Sequence, residues 1–266
     1  MPCETVITPE SILKDCDRMT GDDCFTFRCG ADLDCFTRCC RDVAIVLTPY
    51  DLLRLKRALR MDSSELLEKY TLRLEGPGQK FPIVLLRMQD DDSRQCPFLC
   101  ERGCQVYPDR PWACRMYPLG AAEPKAPGGE DQPFHFVVRE ELCHGHGEGI
   151  PISVRDWMAG QQIEEFEMMS AGFKELTLHD FWNGKTNLTP QQSDMFYMAC
   201  YDVDRFRRFV FETRFLQLFD IDEARVEALR CDDEELIEFG MQWLRFAIFG
   251  ERSMKIRRGS VARKDG

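Results

Sequence analysis

The chain has 266 residues, a length that fits one or two domains, and a formal charge of −11. Such an acid excess argues against a nucleic-acid partner, which calls for a basic face, and no run approaches the roughly 18–20 apolar residues of a membrane helix. Hydrophobic residues make up 44% of the chain, enough to build a core, so wholesale disorder is excluded.

Residues 1–24 form a polar N-terminal segment. Its opening, MPCETVITPESILKDC, has no apolar signal-peptide core, so a cytoplasmic location is expected, where thiols stay reduced. Cys3 and Cys16 stand at no ligand spacing; Cys24 lies nearer the other cysteines. Residues 25–41, FTFRCGADLDCFTRCCR, show neither helical nor alternating period and read as a loop.

Val43, Ile45 and Leu47 alternate as a short strand does. Thr48 then suits an N-cap, Pro49 the first helical position and Asp51 the closing residue of a capping box. Leu52, Leu53, Leu55 and Leu59 give that helix an apolar stripe. Asp62 with Glu65 opens a second helix, with Leu66, Leu67 and Tyr70 facing inward. This pair reads as a helical hairpin rather than a DNA-binding helix-turn-helix, because residues 48–72 carry five basic and four acidic side chains, too little positive field for phosphate.

A strand is expected over 81–88 and a charged turn at 90–93. Residues 121–133 are rich in Pro, Gly and charge and read as an exposed loop. FHFVVR at 134–139 alternates as a strand, and Cys143 opens the glycine-rich loop CHGHGEG. From about residue 152 the pattern turns helical. Ser153 caps a helix expected to run through Trp157, Ile163, Phe166 and Met169. Thr189 and Pro190 start a longer one carrying Phe196, Tyr197, Phe206, Phe209 and Val210. Asp232 with Glu235 opens a third, through Leu236, Phe239, Trp243 and Phe246, and Gly250 is its stop. The aromatic stripes read as core. The tail, 251–266, is basic and reads as a frayed terminus.

The fourteen cysteines are the unusual feature. Seven fall in residues 3–40 and four in 96–114, while Cys143, Cys200 and Cys231 stand apart. In a reducing compartment this clustering points to metal rather than disulfides. The first group is Cys29-x5-Cys35-x3-Cys39-Cys40. The second is Cys96-x3-Cys100-x3-Cys104-x9-Cys114, where Pro97 and Gly103 favour a knuckled loop over a helix. The adjacent Cys39 and Cys40 can serve two metals, or two irons of one cluster. No C-x2-C pair occurs, which disfavours ordinary zinc fingers, ribbons and thioredoxin-like sites. The radical-SAM triplet fails at Asp42. His144 and His146 are further metal-ligand types beside Cys143. Arg38, Arg41, Arg110 and Arg115 stand next to cysteines and can offset thiolate charge.

Phe27–Cys29, Cys35-x3-Cys39-Cys40-Arg41 and LT-x2-D-x3-L at 47–55 together resemble the YkgJ-type cysteine-cluster family, a zinc- or iron-chelating domain. Cys96-Pro97-Phe98-Leu99, Gly103-Cys104-Gln105-Val106-Tyr107, Arg110-Pro111-x2-Cys114-Arg115-x-Tyr117-Pro118 and Cys143-x-Gly145-x-Gly147 extend the resemblance over about residues 25–155. The resemblance implies metal binding through Cys29, Cys35, Cys39, Cys40, Cys96, Cys104, Cys114 and Cys143. The first gap departs from the family's two residues, so Cys24 or Cys100 can stand in for Cys29. The cofactor implied is an iron–sulfur cluster, of the [4Fe–4S] type, or zinc. A related group, the flagellin lysine-N-methylases, carries a similar domain, so a redox or methyl-transferring enzyme is an alternative, and a metal chelator or carrier a further one. No motif identifies a substrate.

The expected fold is α+β and mostly helical. A loop-rich, metal-stapled cysteine domain with short strands (25–151) precedes a helical region packed on it (152–250).

Overall fold

In a computed structural model, residues 16–76, 78–122, 133–184 and 187–257 are described. Cys3, most of the 121–133 loop and residues 258–266 of the basic tail lie outside them. The fold is α+β and mostly helical, with short strands paired two by two.

The first strand, β1 (Cys24–Phe27), corrects the reading of 25–41 as wholly loop: Phe25 and Phe27 alternate and are buried. Four residues are too few for the alternation to stand out, and the pairing partner comes late in the chain. Next, α1 (Pro49–Leu59) begins as its sequence dictates. Thr48 Oγ1 accepts from the Asp51 N–H at 3.1 Å, and the Asp51 carboxylate accepts from the Thr48 N–H at 2.8 Å. Leu52, Leu53 and Leu55 are buried. α2 (Ser63–Tyr70) is capped by Asp62, and β2 (Thr71–Leu74) pairs antiparallel with β3 (Ile83–Leu86). The strand expected at Val43–Leu47 shrinks to one bridge, Val46 opposite Leu85. Thr48 is itself still extended, at φ −80° and ψ 165°, and α1 begins directly after it.

β4 (Leu99–Cys100) and β5 (Gly103–Cys104) make a miniature hairpin, the expected knuckle, with Gly103 at φ +106°. α3 (Trp112–Met116) follows, then β6 (Leu119–Ala122) paired with β7 (Phe134–Val137). β8 (His146–Ser153) pairs with β1, placing Cys24 opposite Ser153 and Phe27 opposite His146. The CHGHGEG stretch is therefore strand from His146 onward, where a loop was expected.

Ser153 caps α4 (Val154–Gly160), but the single helix expected there breaks before α5 (Ile163–Thr177). Gln162 sits at φ +58°, and the buried Arg115 donates to the Gln161 carbonyl at 3.0 Å. The long helix from Thr189 is likewise two, α6 (Pro190–Tyr201) and α7 (Val203–Glu212). Between them Asp202 caps α7 and accepts the Ser63 hydroxyl at 2.6 Å and the Ser64 hydroxyl at 2.8 Å. Three more helices complete the described chain: α8 (Phe215–Leu218), α9 (Glu223–Cys231) and α10 (Asp233–Ala247), the last capped by Asp232.

The chain divides into two units, 1–41 with 113–164 and 42–112 with 165–266. The second holds a large apolar core. Leu47, Leu53, Leu55 and Leu66 join Phe166, Phe196, Phe206, Leu236 and Phe239, all buried. Helices after residue 165 thus share one core with the 47–106 stretch. In the first unit, Phe27 and Trp157 pack edge to face at 5.6 Å, with Phe25, Met116, Leu119, Val154 and Ile163 also buried. Among the described residues no helix is long and apolar enough to cross a membrane.

Candidate metal centre

Five of the expected ligands gather in the first unit. Cys29, Cys35, Cys39 and Cys40 follow β1 on a chain of tight turns. Leu33 N–H donates to Gly30 O, Phe36 N–H to Leu33 O and Arg38 N–H to Cys35 O. A single 3-10 turn, Arg38–Cys40, carries the adjacent pair. Cys143 comes to them from the loop before β8. The Cys29 thiol pKa is raised by burial and by its neighbours Cys39, Cys143 and Cys35. That of Cys39 is raised further, by its hydrogen bond with Cys40 and then by burial. Neighbouring groups crowd the Cys29 and Cys39 sulfurs although both residues keep an exposed face, while Cys40 and Cys143 are half-buried and Cys35 buried, and none is half of a disulfide. Cys114, in α3, is exposed in the same unit.

Two polar atoms beside this group have no hydrogen bond of ordinary geometry: Tyr117 Oη and His146 Nε2, both buried. Burial and the adjoining Cys143 thiol push the Tyr117 pKa up, while burial pushes that of His146 down. Phe27 packs against both rings, at 5.8 Å and 5.3 Å. An unmade buried hydrogen bond costs about 1–3 kcal/mol. Deprotonated, metal-bound sulfur is an acceptor such a hydroxyl can use, so the residues fit a thiolate-held metal or cluster. These soft donors suit zinc and iron–sulfur centres alike.

The other two expected ligands, Cys96 and Cys104, lie in the second unit. The β4–β5 hairpin positions them, with Leu99 opposite Cys104 and Cys100 opposite Gly103. Burial raises both thiol pKa values. Backbone N–H groups two residues on, of Phe98 and Val106, donate to the two sulfurs and work the other way. Arg110 also lowers the Cys104 value, which supports the charge-offsetting role expected of it. Arg110 stacks on Tyr107 at 3.8 Å and donates to the Tyr107 carbonyl at 2.7 Å. Cys100 Sγ points into its own hairpin, 3.2 Å from the Gly103 carbonyl. By contrast Arg115 is buried and holds the 161–162 break, and Arg38 and Arg41 are exposed. Cys200 is buried in the apolar core, whereas Cys231 is exposed.

One grouping was not legible from spacing. Asp34, Cys35 and His144 place a carboxylate oxygen, a sulfur and a ring nitrogen within 4.8 Å of one another. His144 Nδ1 lies 2.6 Å from Asp34 Oδ1, and the His144 N–H donates to Cys35 Sγ at 3.3 Å. Asp34 and His144 are 110 residues apart in the chain, so only the folded loops show the pair.

Turn-borne thiols in the first unit and hairpin-borne thiols in the second are both donor sets of the kind that soft metals take. Residues 28–144 match the CxxCxxCC family model, described as a putative zinc- or iron-chelating domain. That stretch is thus similar to a cysteine-cluster domain of this kind, in line with the motifs, and the likeness supports metal binding in general. No curated protein and no solved structure matches the chain.

Proposed function

We propose that residues 25–151 form a metal-binding module whose thiolates, drawn from Cys29, Cys35, Cys39, Cys40, Cys96, Cys104, Cys114 and Cys143, hold iron–sulfur of the [4Fe–4S] type, with four thiolates to a cluster. Zinc on the same sulfurs is the alternative. The observation that carries the reading is the gathering of Cys29, Cys35, Cys39, Cys40 and Cys143, with the buried Tyr117 hydroxyl turned to the Cys143 thiol. Four thiolates around Zn²⁺ or a [4Fe–4S]²⁺ core leave a net charge of about −2, part of which Arg110 offsets where Cys104 is a ligand.

The bound metal also supplies folding energy. Turns of the kind that carry these thiols bury little apolar surface, and ligand binding to the native state alone stabilises it. Anaerobic purification followed by metal and acid-labile sulfide analysis is the test. Iron and sulfide in equal amounts, with an absorbance band near about 400 nm, support the cluster. Zinc without sulfide replaces the cluster with the alternative. Protein that takes up neither zinc nor iron overturns the reading.

A further inference from the structure

We propose that Asp34, Cys35 and His144 hold one divalent transition ion, zinc being the best fit, which takes Cys35 out of the thiolate set above and leaves the remaining thiols for any further metal. This rests on the metal-binding reading above and names a ligand set that the cysteine spacing does not contain. Three different donor atoms converge here. Asp34 Oδ1 and His144 Nδ1 are 2.6 Å apart, and all three ligand atoms lie within 4.8 Å of one another. A tetrahedral zinc with bonds of about 2.0–2.3 Å spaces its ligands about 3.3–3.8 Å apart, so the ion would replace the Asp34–His144 hydrogen bond, parting that pair by about 1 Å, with side-chain adjustment of the same order bringing the sulfur to bonding distance.

Oxygen, sulfur and nitrogen together suit a borderline-soft ion, whereas an iron–sulfur cluster takes sulfur almost throughout. The charges also close. One carboxylate and one thiolate balance Zn²⁺ with the imidazole neutral, so no arginine is needed. The His144 N–H already donates to Cys35 Sγ at 3.3 Å, which favours the thiolate form that a metal requires.

Local sequence builds the triad. The family pattern C-x2-C-x2-C-C has two-residue gaps, whereas here residues 30–34, GADLD, stand between Cys29 and Cys35. Within that longer loop Asp32 pairs with Arg28 at 2.7 Å, which fixes the turn, and Asp34 is its last residue. On the other side, the Arg28 N–H donates to the Gly145 carbonyl at 3.1 Å, drawing the His144 backbone in. A Cβ on Gly145 would meet the Arg28 carbonyl at 2.3 Å, so only glycine allows this approach. The Asp34 side chain is 72% exposed and that of His144 45%, while Cys35 is buried. With three protein ligands and an open mouth, a fourth position is left for water or an incoming ligand, the geometry of exchangeable rather than purely structural zinc.

The test uses the full-length chain, stripped of metal and titrated with Zn²⁺ against a chromophoric chelator, then with Co²⁺ as a spectroscopic probe. Asp34→Asn and His144→Gln are compared with the parent chain, with circular dichroism confirming the fold. The loss of one zinc equivalent, or at least a tenfold weakening of one site, with the others retained, is the expected result. The Co²⁺ visible band should lose the intensity of that one ion. Retention of every equivalent at parental affinity overturns the proposal and leaves the thiolate module standing. Loss of all bound metal in the variants also overturns it, because the residues would then serve a shared centre. A parent chain that binds no zinc or iron overturns the module and this proposal together.

Discussion

The two units differ in what holds them. In the one formed by 42–112 with 165–266, leucines at helical spacing meet phenylalanines from α5, α6, α7 and α10, and a continuous apolar core results. In the one formed by 1–41 with 113–164, the buried apolar residues are few, and Cys29, Cys35, Cys39, Cys40 and Cys143 sit on consecutive turns and a loop. Full burial of a large apolar side chain contributes about 1.5–3 kcal/mol. The core-rich unit can rest on such terms, whereas the thiol-rich one, on the proposed function, draws on ligand bonds as well. The same chain therefore contains one region folded by exclusion of water and one that the proposed metal staples.

Metal removal should break this comparison most strongly. Chelation, with reduction where a cluster is present, should open residues 16–41 and 133–153 to limited proteolysis. The 47–70 and 190–247 helices should stay protected. Cys39→Ser and Cys40→Ser should likewise lower bound metal or give insoluble protein, while Cys200→Ser should keep its full metal content. Metal loss in Cys200→Ser equal to that in Cys39→Ser would erase the distinction between core thiols and ligand thiols.

Truncating the core is the converse experiment. Phe206 and Phe239 are fully buried, and Phe→Ala in such a site costs about 3–5 kcal/mol. A denaturant melt of Phe206→Ala should show that loss with metal stoichiometry unchanged. A smaller effect, about 1 kcal/mol, is expected for Thr48→Ala, which removes the α1 capping bond.

Much of the core-rich unit was legible in the sequence because its signals are local. Thr48, Pro49 and Asp51 start α1, and Asp62, Thr189 and Asp232 start later helices, where a side chain meets an N–H two or three residues on. The misreadings share the opposite cause. β1 is four residues whose partner, β8, comes more than a hundred residues later, so no local period marks it. The break at Gln161-Gln162 is met by Arg115, and the Asp202 break by Ser63 and Ser64, all remote in sequence. At the candidate centre, cysteine identity and spacing were visible, and His144 was recognised as a possible donor type. Asp34 was not, because a surface aspartate in a charged loop carries no signal until His144 stands beside it.

The pH dependence separates the units more gently. Burial and neighbouring thiols, or for Cys39 first its bond to Cys40, raise the thiol pKa values of Cys29 and Cys39 above the ordinary 9.0. For a group whose folded pKa is raised, the stabilisation is present below the unfolded value and lost as pH rises through the folded one. Metal-free protein should therefore lose stability above about pH 9, chiefly in the thiol-rich unit. In the presence of metal the sign reverses. Protons bound more tightly compete with metal, so affinity should fall as pH falls, with proton release on binding measurable by titration calorimetry in two buffers.

The most direct test of the contrast is hydrogen exchange, read by mass spectrometry peptide by peptide, on metal-loaded and metal-stripped protein. If metal staples the turns that carry Cys29, Cys35, Cys39, Cys40 and Cys143, stripping should raise exchange in peptides spanning 24–41 and 143–153 by orders of magnitude. Peptides from 50–70 and 196–247 should stay protected. Equal protection of the 24–41 and 143–153 peptides before and after verified metal removal would contradict it, because those turns would then be held by packing alone.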